Sequence, residues 1–147
     1  MRVKVRAVII DRGRLLVVPE RRVGAHSHMA LPGGRVDDRE TVTEALIREL
    51  REETGLEATP GRLLYIAEAT APHRLQEVNL IFLAKPSGEP DFGDLLFVNP
   101  TDGDLPRILP PIVPEIARDL ASNWQNTPRW LGNIWDESLS AGEPSLE

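Results

Sequence analysis

At 147 residues the chain has the size of one ordinary domain and is long enough to bury a hydrophobic core. Its net charge of −6 and pI near 5.1 oppose the basic balance typical of proteins that grip nucleic-acid phosphates, so non-specific nucleic-acid binding is not expected. The absence of cysteine excludes disulfides and thiolate metal sites. No apolar run approaches the roughly 20 residues of a membrane span and no signal-peptide cleavage site is evident, so we expect no membrane association and a cytoplasmic location.

The first part of the chain is predicted to contain a hairpin and a loop. Basic and aliphatic residues alternate over 2–9, which predicts a half-buried strand. A turn at Asp11–Gly13 leads to a second strand at Arg14–Val18. Pro19–His28 is polar and predicts a loop, and Ala30–Gly34 is a short apolar piece broken by proline and glycine.

A helix is predicted at about Val42–Thr54. Thr41, with Glu44 three residues later, forms a capping-box pattern at its start. Gly55 stands where a left-handed residue commonly ends a helix. One apolar arc runs along this helix, made of Val42, Leu46, Ile47 and Leu50.

The second part predicts further strands at Arg62–Thr70, Gln76–Lys85 and Leu95–Val98, and a second helix at about Val113–Asn123. The predicted fold class is therefore α/β, with a mixed β-sheet sandwiched between helices. We expect one domain over 1–123, followed by an irregular tail over 124–147. This tail holds all three tryptophans and has a polar, mobile end.

Three glutamates crowd one side of the first helix. At 100° per residue, Glu49, Glu52 and Glu53 fall together at the edge of the apolar arc rather than opposite it. Like charges at this spacing repel, and partial burial would raise their pKa values. A divalent cation that prefers carboxylate and phosphate oxygens would remove that cost. The alternative is a surface helix with ion pairs such as Glu44–Arg48, and it stays open at this point.

The glycine pair before the helix favours the metal site. Gly33 and Gly34 have no side chains, so the backbone can approach a ligand closely there. The Gly34 carbonyl is within reach of a metal held by the helix.

These residues match the signature of a known family. The signature is Gly, five residues, Glu, seven residues, Arg-Glu-aliphatic, one residue, Glu-Glu, one residue and Gly-aliphatic. In this chain the fixed positions are Gly34, Glu40, Arg48, Glu49, Leu50, Glu52, Glu53, Gly55 and Leu56. The chain thus resembles the Nudix hydrolases, the MutT-like superfamily, over roughly Val3–Asn123.

The resemblance implies the Nudix fold and hydrolysis of a nucleoside diphosphate linked to another moiety, with Mg²⁺ or alternatively Mn²⁺ as cofactor. By matching positions, the metal ligands would be Gly34 through its carbonyl, Glu49, Glu52 and Glu53. Arg48 would orient the carboxylates, and Glu40 would support the loop together with Gly33 and Gly55. The general base would be Glu52 or Glu53.

Residues outside the signature say less about the substrate. Asp94 matches by position an acid that MutT-type proteins supply as a further metal ligand, with Asp91 and Glu89 as rivals. Candidates for contacting the substrate are His73, Arg74 and Phe92, although each also suits an ordinary loop or core role.

The moiety attached to the diphosphate stays open. Val113 stands where MutT-type proteins place a base-reading asparagine after the proline pair 110–111, which counts against a dedicated 8-oxo-guanine triphosphate sanitiser. Pro72 follows the signature at a spacing resembling that of ADP-ribose pyrophosphatases. A nucleotide sugar, an ADP-ribose-like compound or a (d)NTP all remain candidates.

Two alternatives to an enzyme and one question of assembly also remain. The first alternative is a catalytically silent nucleotide-binding or regulatory module on the same fold. The second is a plain helical interaction domain. The tail segment Arg129–Trp135 is expected to pack on the body or on a second subunit of a homodimer.

Overall fold

The computed structural model describes residues 1–20 and 28–135. Within them the chain forms ten strands and two helices. In chain order these are β1 Arg2–Val8, β2 Ile10–Asp11, β3 Arg14–Glu20, β4 His28–Ala30, β5 Gly33–Arg35, α1 Val42–Thr54, β6 Ala58–Ala69, β7 Glu77–Pro86, β8 Leu96–Val98, β9 Ile108–Leu109, α2 Val113–Ala121 and β10 Arg129–Asn133.

The strands form two sheets. The larger has the order β10-β6-β7-β1-β5, and the smaller has the order β2-β3-β4-β9 with β8 paired to β3. The larger sheet is mixed, because β1 runs parallel to β7 and β10 parallel to β6, whereas β6–β7 and β1–β5 are antiparallel. Strand β1 is thus an inner strand with a partner on each side.

Two apolar clusters lie on opposite faces of the larger sheet. One holds Val5 and Ala7 of β1 with Leu46 and Leu50 of α1, and the other holds Tyr65 and residues of α2. The predicted α/β class, with a mixed sheet between helices, is therefore confirmed. Neither helix in the described part of the chain is long and apolar enough to cross a membrane.

Strand β1 is buried more completely than its alternation predicts. Arg6 was expected on a solvent face but is only 5% exposed. Its Nη1 donates to the Leu31 carbonyl at 2.8 Å and pairs with Glu20 Oε2 at 3.3 Å. The half-buried prediction is wrong here because residues of and after β3 and β4 cover this face as well.

The first helix has the bounds that its end signals predict. The Thr41 hydroxyl accepts a hydrogen bond from the Glu44 backbone N–H at 3.1 Å. Gly55 has φ 74°, and its N–H donates to the Arg51 carbonyl at 3.0 Å. Both ends are therefore fixed by local interactions that the sequence encodes.

Other bounds differ from prediction by a few residues. Strand β6 begins at Ala58 rather than at residue 62, because the chain pairs with β7 from Ala58 onward. Helix α2 ends at Ala121, since Asn123 and Trp124 take left-handed φ values of 55° and 62°. The two ends of the predicted loop at 19–28 are strand, because β3 extends to Glu20 and β4 begins at His28. Residues 21–27 lie outside the described residues.

The chain beyond α2 packs on the body of the domain. Trp124 is buried in the apolar cluster beside α2, and β10 pairs with β6. The expectation of an irregular tail is wrong for 129–133, because this strand adds to the edge of the sheet. The expected mobile end falls on residues 136–147, which lie outside the described residues.

Candidate active site

Two helix carboxylates lie against the glycine pair of β5. The Glu49 side chain is 15% exposed, and a Cβ placed on Gly34 would lie 2.6 Å from its Oε1. The Gly33 N–H donates to Glu53 Oε2 at 3.4 Å. Only a residue without a side chain allows this approach, so Gly34 has a steric role beyond turn formation.

The surroundings of Glu53 shift its pKa. Although Glu53 is an exposed residue, partial desolvation of its carboxylate, reinforced by the adjacent Glu49 carboxyl, raises the pKa of Glu53 to about 7. The hydrogen bond from Gly33 acts in the opposite direction. Two hard oxygen donors that resist simultaneous ionisation form a donor set suited to a divalent cation.

Arg48 ties the helix to the loop that precedes it. Its Nε and Nη2 donate to the two Glu40 carboxylate oxygens at 2.7 and 2.9 Å, and Nη2 also donates to the Arg35 carbonyl at 3.0 Å. Its Nη1 reaches Glu49 Oε1 at 3.0 Å. The hydrogen bonds from Arg48, followed by that from the Asp37 N–H, lower the pKa of Glu40 to about 2. One guanidinium therefore fixes both the loop and the Glu49 carboxylate.

Glu52, like Glu53, is an exposed residue. Its side chain is 58% exposed, and its Oε2 lies 3.3 Å from Arg48 Nη1, the same nitrogen that contacts Glu49. Over residues 1–20 and 28–135, no three acidic, histidine or cysteine side chains gather in a metal-holding arrangement. The structure brings Glu49 and Glu53 to the glycine pair, and Arg48 links Glu52 to Glu49.

A first cleft opens beside this pair, and we call it the glycine cleft. It has a volume of about 400 Å³, opens to solvent, and is lined in part by Lys4, Arg6, Gly33, Gly34 and Glu53. Two cationic side chains therefore share a cleft with the glutamate and the glycines. The sequence prediction missed Lys4 and Arg6 because alternation assigned them to solvent, although three basic residues on one face of a strand were the available signal.

A second cleft adjoins the first, and we call it the proline cleft. Its lining includes Arg74, Glu77, Asn79, Pro110, Pro111 and Trp135. Lys4 and Arg6 line both clefts, so the two clefts are neighbours. The sequence prediction missed Asn79, whose signal was a polar residue inside a strand that is otherwise predicted to be buried.

The predicted substrate residues are scattered. Arg74 lines the proline cleft, with its guanidinium carbon 4.0 Å from the centre of the Trp135 ring. His73 and Asp94 are exposed and belong to the lining of neither cleft. Phe92 packs edge-on against Phe97, with ring centres 4.9 Å apart, in the apolar cluster beside α1.

Known proteins resemble this chain in sequence and in fold. The human 8-oxo-dGDP phosphatase NUDT18 is 35% identical over 78 residues, which cover 53% of this chain and 23% of the relative. The match thus spans about a quarter of that protein's length. The MutT NUDIX hydrolase from Burkholderia pseudomallei has a TM-score of 0.59 at 29% identity, covering 80% of this chain and 95% of its own.

A further structure and a family model agree with these likenesses. The Escherichia coli ORF135 protein has a TM-score of 0.67 at 22% identity, covering 87% of this chain and 94% of its own, and so shows a shared fold. The NUDIX domain model matches residues 1–105, which include both glycines and all of α1. Because this match extends over most of the chain, the chain belongs to the NUDIX family.

Proposed function

We propose that this protein is a metal-dependent hydrolase that cleaves the diphosphate linkage of a nucleoside diphosphate attached to another moiety. The observation that carries the proposal is the Glu49–Glu53 pair, which lies against Gly33 and Gly34 beside a cleft that also presents cationic side chains. Substrates within this class are (d)NTPs, nucleotide sugars and ADP-ribose-like compounds.

The donor set fits Mg²⁺, with Mn²⁺ as the alternative ion. Glu49, Glu53 and the Gly34 carbonyl would supply hard oxygen ligands, and a bound cation would offset the proximity of the Glu49 and Glu53 carboxyl groups. We assign Glu52 and Asp94 as further ligands on sequence position. When bound, the ion supplies charge neutralisation at the diphosphate and lowers the pKa of a water molecule.

The chain's own residues then have distinct tasks. Lys4 and Arg6 bind phosphate oxygens in the glycine cleft and offset their charge. Arg48 holds the Glu49 carboxylate in one orientation through the 3.0 Å contact. Glu52 or Glu53 accepts the proton of the attacking water as the general base.

The named relatives support the reaction class rather than one substrate. One is a phosphatase of 8-oxo-dGDP, and another, from Proteus vulgaris, is an 8-oxo-dGTP diphosphatase that is 35% identical over 46% of this chain. Both names describe cleavage at a nucleotide phosphate. Since the matched region is a small part of the human protein, we propose for this chain the cleavage of a nucleotide phosphate linkage but no particular base.

A hydrolysis panel with and without metal tests the proposal. It comprises canonical and oxidised dNTPs, ADP-ribose, sugar nucleotides and dinucleoside polyphosphates, each assayed with Mg²⁺, with Mn²⁺ and with EDTA. We expect at least one substrate to be cleaved with metal and none with EDTA. If nothing is cleaved with either ion, the proposal fails and the silent nucleotide-binding module becomes the better account.

A further inference from the structure

Asn79 is a buried polar residue that the proposed reaction does not use. It lies in β7, is only 4% exposed, and lines the proline cleft. Its side-chain amide makes no hydrogen bond with residues 1–20 or 28–135. Its amide nitrogen and oxygen are not among the fully buried atoms that lack a partner, so they keep contact with the space of the cleft. A ligand in the cleft would therefore meet an unpaired donor and an unpaired acceptor.

The sheet places Asn79 next to the cationic residues. It pairs in register with Lys4 on one side and with Ala67 on the other. Side chains in register share one face of a sheet, so Asn79 and Lys4 face the same way. Ala67 is fully buried and does not line the cleft, so Asn79 and Lys4 supply the polar groups of this part of the sheet.

Charged side chains around the proline cleft form ion pairs with one another. Glu77 lies 3.1 Å from Lys4 Nζ and 3.6 Å from Arg74 Nη2. Arg74 in turn covers one face of the Trp135 ring. Apolar lining comes from residues such as Pro110 and Pro111. A flat, uncharged group is therefore better matched to this cleft than a second phosphate.

We propose that Asn79 binds the hydrogen-bonding edge of a nucleobase in the proline cleft and so determines which base the protein prefers. The inference rests on the proposed function, in which the phosphates of the same ligand occupy the glycine cleft. A carboxamide presents a donor and an acceptor side by side, and this pattern matches the adjacent acceptor and donor groups of a base edge. Because Lys4 and Arg6 line both clefts, one nucleotide spans the two.

Binding without turnover tests this directly. Isothermal titration calorimetry compares AMP, GMP, CMP and UMP with ribose 5-phosphate, which has the sugar and phosphate but no base. The wild-type protein is expected to bind at least one nucleotide about tenfold or more tightly than ribose 5-phosphate. Asn79→Leu is expected to reduce that ratio by about tenfold while the affinity for ribose 5-phosphate stays unchanged.

Two further variants control the result. Asn79→Asp keeps the shape but replaces the N–H donors, so it should change the order of preference among the four bases and serves if Asn79→Leu does not fold. Asn126→Leu alters an exposed asparagine outside the lining of both clefts and should leave every affinity unchanged. Melting temperatures establish that each variant is folded.

The outcomes separate this inference from the proposed hydrolysis. A wild-type protein that binds no nucleotide better than ribose 5-phosphate overturns the role of Asn79, as does a folded Asn79 variant with unchanged preference. If base preference depends on Asn79 but the panel shows no cleavage, the inference stands and the hydrolase proposal fails. If cleavage occurs while preference ignores Asn79, the hydrolase proposal stands alone.

Discussion

The two clefts are neighbours but are built in different ways. The glycine cleft relies on charge: Arg48 ties Glu40 and Glu49 together, and the carboxylates lie against backbone. The proline cleft combines apolar walls and ion-paired side chains with one neutral amide, that of Asn79. The first arrangement suits an ion and phosphates, whereas the second suits a flat ring. A substitution in one cleft can therefore be expected to leave the other cleft in place.

The largest expected effect on stability lies behind the proline cleft, at Asp119. Its buried carboxylate accepts hydrogen bonds from Tyr65 at 2.6 Å and from Arg129 of β10 at 2.9 Å. Removing one partner of a buried charged pair commonly costs about 3–5 kcal/mol, so we expect Asp119→Ala to lower the free energy of unfolding by about that amount. Urea denaturation measures the change.

The same variant also bears on the comparison of the clefts. Loosening β10 should disturb Ile134 and Trp135, and so weaken base preference more than phosphate binding. Asp104→Ala is the matched control, because that residue is exposed, and should change the unfolding free energy by less than about 0.5 kcal/mol. Equal stability of the two variants would contradict the anchoring role of Asp119.

The adjacent glycines are expected to respond differently to alanine. At Gly33, φ is 148° and a Cβ would lie 2.0 Å from the Val5 carbonyl oxygen, so Gly33→Ala should cost about 3 kcal/mol of stability. At Gly34 the obstacle is the movable end of Glu49, so Gly34→Ala should keep the fold and lower turnover by about tenfold. Urea denaturation and turnover together distinguish them. An equal loss of stability in Gly33→Ala and Gly34→Ala would show that the Glu49 side chain cannot move aside for the added methyl group.

Arg48→Lys is expected to give a moderate loss. Lysine keeps the charge but cannot donate to both Glu40 oxygens while also reaching Glu49. We expect turnover to fall by about tenfold because the Glu49 carboxylate is less well held. Arg51→Lys is the matched control, since Arg51 pairs with Glu57 on the exposed side of the same helix. Comparable activity of the two variants would argue against Arg48 as the positioning residue.

The smallest effect concerns pH. Because Arg48 lowers the pKa of Glu40 from 4.5 to about 2, ionised Glu40 stabilises the fold fully above about pH 4.5. That contribution is lost as the pH falls from about 4.5 through about 2. We expect Glu40→Gln to be less stable than wild type at neutral pH and to lose less stability on acidification. Unfolding curves that stay parallel down to pH 2 would contradict this.

Local signals predicted the bounds of α1 and the closeness of its glutamates to the glycine pair. Capping residues fix the helix ends within one turn, and the signature glutamates and glycines lie close together in the sequence, so their proximity follows from local geometry. Helix geometry alone did not predict how exposed the Glu52 side chain is, or that one nitrogen of Arg48 contacts both Glu49 and Glu52.

Contacts between distant residues account for what the sequence did not predict. Trp135 meets Arg74 across 61 positions of the chain (135 − 74) only because β10 pairs with β6. Asn79 lies beside Lys4 only because β7 pairs with β1. Strand pairing of this kind depends on tertiary packing rather than on local propensity, so the proline cleft has no contiguous signature.

The most direct test of the account is turnover of the glutamate variants under saturating Mg²⁺ or Mn²⁺. The substrate is whichever member of the panel the wild type cleaves fastest, and the variants are Glu49→Gln, Glu53→Gln and the control Glu44→Gln, an exposed residue of the same helix. We predict that kcat falls at least about 100-fold for the first two and changes by less than about twofold for the control. If Glu49→Gln and Glu53→Gln retain the activity of Glu44→Gln, the carboxylate pair is not the hydrolytic centre.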